Sequence, residues 1–423
     1  MTLKGKLFAG LLAGVASFGF TLQTEASRHI EDQVSHTVVS VQPEAAEAQT
    51  EGRTVQKMEN GEGDLAATRS ASRAKPFRTV SHTMHQWQVE SRDEGGTLIF
   101  SDSPEYVAHD GILYQDTVTG DARVLYYHLN SQHTNKKVAV VLEAVEDGFT
   151  TVAITRGGYG LPSDDYLAVG KAAQMMYYDG QTQGHHYMMK GSQRLLDQSM
   201  DKIELAPGQL VAGTYDFHTN HAVKVSVIMY PADADPFTFL KTARVQPKDE
   251  MRLRGTFKNM DRVLTGTRAY DPDKDGIVYI PLADNIHDLY RTGIDATDGS
   301  SVTDFGNYGI NYWIEMPTVA RGGAVKYFLC PLGGVYVGAM RVSVNGGRAD
   351  MMQTPFGRTY FGDATPPESD TVQKAREAGL WILTKDAELA DLGSYDDSDN
   401  VKFEFSPPGA SNLPVSLILM PSN

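Results

Sequence analysis

The sequence predicts a mainly β protein: two tandem antiparallel β-sandwich-like domains with a few short helices, preceded by a signal peptide and a disordered tether. Three observations predict this. Short segments rich in β-branched and aromatic residues recur at a spacing of roughly ten residues, between clusters of Asp, Gly, Asn and Ser. The two halves echo one another in order, as DGILYQD at 110–116 with DGIVYIP at 275–281, PGQLVAGTYDF at 207–217 with PLGGVYVGAMRV at 331–342, and YDFHTNHAVKVSVIMYP at 215–231 with FEFSPPGASNLPVSLILMP at 403–421. Residues 1–95 differ sharply in composition from everything that follows.

At the N-terminus, Lys4 and Lys6 precede an almost unbroken apolar and small-residue run from Leu7 to Phe20, and Thr24-Glu25-Ala26 offers a small residue at each key cleavage position. This predicts a secretory signal peptide over 1–26. The run is about 14 residues long, short of the roughly 20 that a spanning helix needs, so no transmembrane span is expected once the signal is cut. An uncleaved anchor is the alternative. Residues 27–95 are rich in Glu, Gln, Ala, Ser, Thr and Gly and carry almost no aromatics, which predicts a disordered linker that buries too little apolar surface to offset chain entropy. Trp87 marks where the chain begins to dock.

The first module is expected over 96–234. TLIFSD, GILYQD, ARVLYYHL, KKVAVVLEAV and FTTVAITR read as strands. The Asp147-Gly148 pair between the last two predicts a hairpin, because a tight turn needs the positive φ that Gly supplies. SDDYLAVGKAAQMMYYDG reads as a helix with Ser163 as N-cap. PGQLVAGTYDF and HAVKVSVIMYP are expected as two strands joined by a polar turn that holds His218 and His221.

The second module is expected over 235–423. It opens on a short helix around Pro236–Ala243, continues with strands in VYIPLA, YGINYWIEM, AVKYFLCPL and GGVYVGAMRVSV, and carries a helical insertion over 345–400. Within that insertion PPESDTVQKAREAGLWILT has helical periodicity, with Ser369 or Asp370 as cap.

Composition bounds the function. The chain has 423 residues, enough for two domains, and is 41% hydrophobic and 22% charged, ordinary values for a globular protein. With 53 acidic against 38 basic side chains the net charge is −15, which argues against a nucleic-acid or anionic-membrane partner. The single cysteine, Cys330, excludes an intramolecular disulfide and any Cys-rich metal site, and its apolar surroundings predict a buried thiol.

Two clusters of ligating residues stand out. Asp271, Asp273 and Asp275, followed by Gly276, have the alternating spacing of a calcium loop, in which side chains converge on one ion. Leu282 occupies the position where an EF-hand needs Glu, so the pattern fits either another type of calcium loop, completed by Asp284, or a plain acidic turn; Asp396, Asp397 and Asp399 form a second such turn. Calcium is the one cofactor the sequence suggests. Among His109, His128, His133, His185, His186, His218 and His221, the pair His218 and His221 is the candidate for a transition metal, against the simpler reading of turn and surface histidines. GxSxG and HExxH motifs do not occur, the Gly170-Lys171 pair lacks a phosphate cradle, and a pair of carboxylates for glycoside hydrolysis stays open.

SPEYVAHDGILYQDTV, RVLYYHLN, KKVAVVLEAV, DYLAVGKAAQMMYY, KDEMRLRGTF, GIDATDGSSVT, FGNYGINYW, GRTYFGDATPP and SPPGASNLPVSLILMP together resemble a family of secreted bacterial proteins labelled copper amine oxidase N-terminal domain-containing. The resemblance implies an exported, envelope-associated, β-rich protein. It carries over no catalytic residue. Thr303-Asp304-Phe305-Gly306-Asn307-Tyr308-Gly309 has one residue too many and Gly in place of the acid of the quinone-forming motif, and no His-x-His pair occurs. The expected function is therefore a non-catalytic exported protein, in the periplasm or at the cell surface, that binds an envelope polysaccharide, peptidoglycan or protein partner. Tyr126, Tyr127, Tyr177, Tyr178 and Tyr187 are candidates for a sugar-stacking platform, and a metal-dependent oxidase or secreted hydrolase is the alternative.

Overall fold

The computed structural model describes residues 82–180, 183–331, 335–354, 359–360, 381–383 and 389–422, which belong to one compact unit, Leu65–Asn423. The signal-peptide expectation, most of the linker and the insertion helix up to residue 380 lie outside the described residues. In chain order the elements are β1 (His82–Gln86), β2 (Val89–Glu94), β3 (Thr97–Ser101), β4 (Tyr106–Val107), β5 (Gly111–Asn130), β6 (Lys136–Ala144), β7 (Phe149–Ser163), α1 (Tyr166–Asp179), β8 (Gly184–Met189), β9 (Gln193–Leu195), a 3-10 turn (Gln198–Lys202), β10 (Leu210–Pro231) and α2 (Pro236–Leu240). They continue with β11 (Arg254–Lys258), β12 (Asp261–Gly266), β13 (Ile277–Leu282), β14 (Arg291–Asp295), β15 (Ser300–Asp304), β16 (Asn311–Glu315), β17 (Ala324–Pro331), β18 (Val335–Tyr336), β19 (Ala339–Val344), β20 (Asp350–Gln353), β21 (Thr359–Tyr360), β22 (Trp381–Leu383), β23 (Ala390–Asp396), β24 (Val401–Phe405) and β25 (Val415–Pro421). The protein is mainly β, as predicted.

Two six-stranded sheets, β22-β1-β13-β25-β17-β23 and β2-β12-β16-β24-β19-β20, face each other across one core. The period-two alternation of strands decides who fills it. Val278, Ile280 and Leu282 of β13 and Val415, Leu417 and Leu419 of β25 point into this core with Tyr312, Phe403 and Phe405 of the opposing sheet. The other parity, Tyr279, Phe328, Cys330, Ile418 and Met420, packs with Met84 on the outer side, which makes Cys330 a buried thiol outside any disulfide.

The first half is built on two long strands. β5 and β10 pair antiparallel along almost their full lengths, and their inward residues, among them Val124, Tyr126, Tyr215, Phe217, Val225 and Val227, form a second core. β3 separates the two cores: Leu98 and Phe100 enter one and Ile99 the other.

Several expectations are corrected by pairing. The polar stretch at 218–222 is a bulge inside one 22-residue strand, because β5 runs past it and resumes pairing at Val223. Its C-terminal echo is split between β24 and β25, which lie in different sheets. GILYQD and ARVLYYHL are likewise one strand. β6 and β7 do not form a hairpin; both pair with β10, β7 along 210–219 and β6 along 223–231. The cap of α1 is Asp165, whose carboxylate accepts from the Ala168 N–H, while Ser163 accepts from the Asp165 N–H. Of the expected insertion helix, Trp381–Leu383 is strand β22, paired with β1.

The expected module boundaries are also crossed. His82–Glu94, assigned to the linker, forms β1 and β2, whose Asp93 is paired with Arg262 and Arg291. β11, β14 and β15 come from the second half of the sequence but extend the sheet of the first, through β3.

A buried polar seam joins the halves. The Arg123 guanidinium, only 3% exposed, is bidentate to Asp216 of β10 at 2.6 and 3.0 Å and reaches Asp261 at 3.0 Å. It also donates to the carbonyls of Met260 and Gly309. Beside it Arg156 lies over the Tyr177 ring at 3.8 Å and pairs with Glu404, and Gln174 of α1 bonds Ser406 and Ala339 across the seam. α1 approaches so closely that a Cβ on Gly170 would sit 1.9 Å from the Gly409 carbonyl oxygen, which only glycine avoids.

Removing one member of a buried ion network strands the others in low dielectric. Arg123→Ala is therefore expected to cost about 3–5 kcal/mol in urea unfolding. A loss below about 1 kcal/mol would show that Asp216 and Asp261 rehydrate and that the seam is not buried in solution.

Candidate binding surface

The candidate site lies on the outer face of β7 and β8. β7 alternates buried Thr150, Val152 and Ile154 with Phe149, Thr151 and Ala153. β8 alternates buried Met188 with exposed His185, Tyr187 and Met189. Pairing brings Phe149 opposite Met189, Thr151 opposite Tyr187 and Ala153 opposite His185. The result is a solvent-facing aromatic row. Phe149 and Tyr187 stack with centroids 5.8 Å apart and planes 17° apart, and Tyr187 and His185 follow at 6.4 Å and 12°.

Phe149, Tyr187 and Met189 are 54, 59 and 57% exposed, a contiguous apolar patch in a molecule that buries most of its rings. Polar groups border it. His218 pairs in register with Ala153 and bonds Asp121, His221 bonds Glu146, and Asn220 clamps the β7 backbone through the Thr151 N–H and the Phe149 carbonyl.

Of the aromatic residues singled out in the sequence, only Tyr187 is on this surface. Tyr126, Tyr177 and Tyr178 are buried, and Tyr127 packs partly buried against α1. The platform residues that sequence reading missed are Phe149 and Met189. Parity is the signal that finds them: in FTTVAI the ring at 149 is out of phase with Val152 and Ile154, an aromatic on the polar face of its strand.

The predicted metal residues do not assemble a site. His218 and His221 are engaged separately, with Asp121 and Glu146. His128 is buried between Ser101 and the Pro104 carbonyl, and burial lowers its pKa to about 4. In the acidic turn Asp271 pairs with Arg321 and Lys274, Asp275 is bidentate to Arg268, and Asp273 donates its N–H back to Asp271. The Arg321 bond holds Asp271 down at about 2. Asp284 accepts from the N–H groups of Ile286, His287 and Asp288, and Asp397 from those of Arg321, Gly322 and Gly323. Among the described residues no group of three His, Cys, Asp or Glu side chains is arranged to hold a metal ion. No helix among them is long and apolar enough to cross a membrane.

Two concavities lie elsewhere on the described surface. A cleft of about 330 Å³ lies between Gln86, Trp87, Gln88, Thr267 and Arg268, but Arg268 covers the indole at 4.2 Å while paired with Asp275. A smaller one of about 150 Å³ is lined by Pro104, Tyr106, Val107 and Pro247, close in sequence to the coupled carboxylates of Asp102, Glu105 and Asp249. Burial, then Asp249, pushes the Glu105 carboxyl up to about 7; burial, then Glu105 and Asp249, raises Asp102. Asp249 is tied to the Ser103 hydroxyl and the Glu105 N–H, so this cluster pins the segment before β5.

No family model matches the chain, and no curated protein does. Solved structures with some likeness include the tandem CBM22-1–CBM22-2 domain of Xyn10C from Paenibacillus barcinonensis, at 11% identity over 83% of this chain and 100% of that one, with a TM-score of 0.16. The Macrobrachium rosenbergii nodavirus matches at 8% identity over 91% and 97%, TM-score 0.12, and vicilin from Solanum lycopersicum at 8% over 76% and 84%, TM-score 0.11. Likeness at this level carries no argument about fold or ligand.

The Glu105 cluster makes stability depend on pH. The folded state keeps a proton that the unfolded chain releases near the ordinary value of 4.5, so the contribution is intact below about 4.5 and lost as pH rises to about 7. Urea midpoints from pH 4.5 to 7.5 should show wild type losing about 1 kcal/mol per pH unit relative to Glu105→Gln. Parallel profiles for the two proteins would refute a protonated Glu105.

Proposed function

We propose that the chain is an exported, non-catalytic protein of the cell envelope that binds a polysaccharide through the outer face of β7 and β8. The observation that carries this is the Phe149–Tyr187–His185 row. A pyranose ring has an apolar face of C–H bonds and a rim of hydroxyls, so it is recognised by exposed aromatic rings bordered by hydrogen-bonding groups. The row supplies the rings, and His218, Asp121 and Asn220 supply the border. The face is open, which suits a ligand that extends beyond the site at both ends. Its side chains are anchored by strands rather than loops, so little rotamer freedom beyond the rings' own is lost on binding.

The metal-dependent oxidase reading has less support, because His218 and His221 are held by different carboxylates, Asp121 on β5 and Glu146 in the connection between β6 and β7. The hydrolase reading would fall on Asp102, Glu105 and Asp249, whose neighbouring hollow is small and largely apolar-lined.

Retention on insoluble cell-wall and plant polysaccharides tests the reading. Tyr187→Ala and Phe149→Ala are each expected to weaken retention about tenfold, equivalent to about 1.4 kcal/mol. Both side chains are exposed, so unfolding midpoints should stay within about 0.5 kcal/mol of wild type. Unchanged retention in both variants, or none in the wild type, would overturn the assignment. Export has its own readout: mature protein should begin at Ser27, and a secreted or envelope form that retains Met1 would contradict signal cleavage.

A further inference from the structure

Among the described residues β8 pairs with β7 alone, so its other side is an open edge. Hydrogen bonds fix which residues face outward. The Thr151 N–H and the Phe149 carbonyl point away from β8, toward Asn220. On β8 itself the Met189 N–H and carbonyl turn away from β7, to Ser192. In an antiparallel ladder such groups alternate. Phe149–Met189, Thr151–Tyr187 and Ala153–His185 are therefore the non-hydrogen-bonded pairs, and the backbone N–H and C=O of Tyr187 and His185 point to the open edge.

That edge lacks the protection found elsewhere. The edge strands β2, β9, β20 and β23 carry Glu90, Arg194, Asp350 and Asp391, charges of the kind that block edge pairing, and the uncharged edge strand β22 is only three residues long. β8, GHHYMM, carries no acidic or basic side chain other than its two histidines, in a chain of net charge −15.

We propose that β8 docks a second copy of this chain, the two β8 strands pairing antiparallel about a two-fold axis through His186. In that register His185 of each copy exchanges both backbone hydrogen bonds with Tyr187 of the other, so the edge is its own complement. A second copy is the favoured occupant because the contact places two strands without acidic side chains together, so that copies of an acidic protein meet there without like charges opposed. A two-fold axis normal to the sheet leaves both outer faces on the same side. The aromatic rows then join, Tyr187 of one copy beside His185 of the other, into a single platform of twice the length.

Sedimentation equilibrium of the full chain tests this, over a range of concentration and salt. The wild type is expected to form a concentration-dependent dimer, favoured by added salt as long-range repulsion is screened. His185→Pro removes the outward N–H at a position where an edge strand tolerates proline, and His185→Lys places like charges beside the axis while keeping the backbone donor. Both should be monomeric, with wild-type circular dichroism and unfolding midpoints. A wild type that stays monomeric at every concentration and salt, or a dimer that persists in both variants, overturns the proposal. Tyr187→Ala separates it from polysaccharide binding: this variant keeps the backbone edge and is expected to dimerise while losing retention.

Discussion

The Arg123 guanidinium is the constraint on which the rest depends. A planar cation buried this deeply requires its donors to be satisfied by groups fixed in place, and the groups come from both halves of the chain: Asp216 from β10, Asp261 and the Met260 carbonyl from the start of β12, and the Gly309 carbonyl ahead of β16. Neither half can close around it alone. Tyr177 of α1 donates to the same Asp216, and Arg156 stacks on Tyr177 while holding Glu404, which in turn takes Asn311 and Arg341. The two sandwich-like layers are thus coupled by polar groups where a pair of independent domains would present water.

This changes the meaning of the stretch from Tyr215 to Pro231. Its histidines drew notice in the sequence because imidazoles bind metals, yet they sit on the solvent side and are engaged by Asp121 and Glu146. The residue that organises the molecule is Asp216, one position after Tyr215 and pointing the opposite way, into the seam. Many of the acidic residues that resemble ligands serve similarly as local locks, as Asp271, Asp284 and Asp397 do for their turns.

The strands themselves were legible because alternation and β-branched content are local properties. TLIFSD, KKVAVVLEAV and AVKYFLCPL read correctly since each is a short run of β-branched, aromatic and other apolar residues, buried on both faces of its sheet. Partner choice was not legible. Asp147-Gly148 permits a hairpin, but β6 and β7 each find a longer partner in β10, a fact that resides some seventy residues downstream. A bulge and a turn look alike in a polar run such as HTNH at 218–221, and only the uninterrupted passage of β5 distinguishes them. Val89–Glu94 reads as tether because its charges are an edge strand's protection and its partners, Arg262 and Arg291, are distant in sequence. At the candidate surface Tyr187 and His185 are legible as residue types, and Phe149 only through its parity against Val152 and Ile154.

The position of β25 bears on when the protein can exist as a folded object at all. This strand lies between β13 and β17, bonded to both, yet follows them in the chain. As the polypeptide emerges from N- to C-terminus, the sheet has flanks before it has a centre, and Leu417 and Leu419 reach the core they complete only at the end. Closure is therefore late and depends on contacts distant in sequence, the regime in which folding is slow.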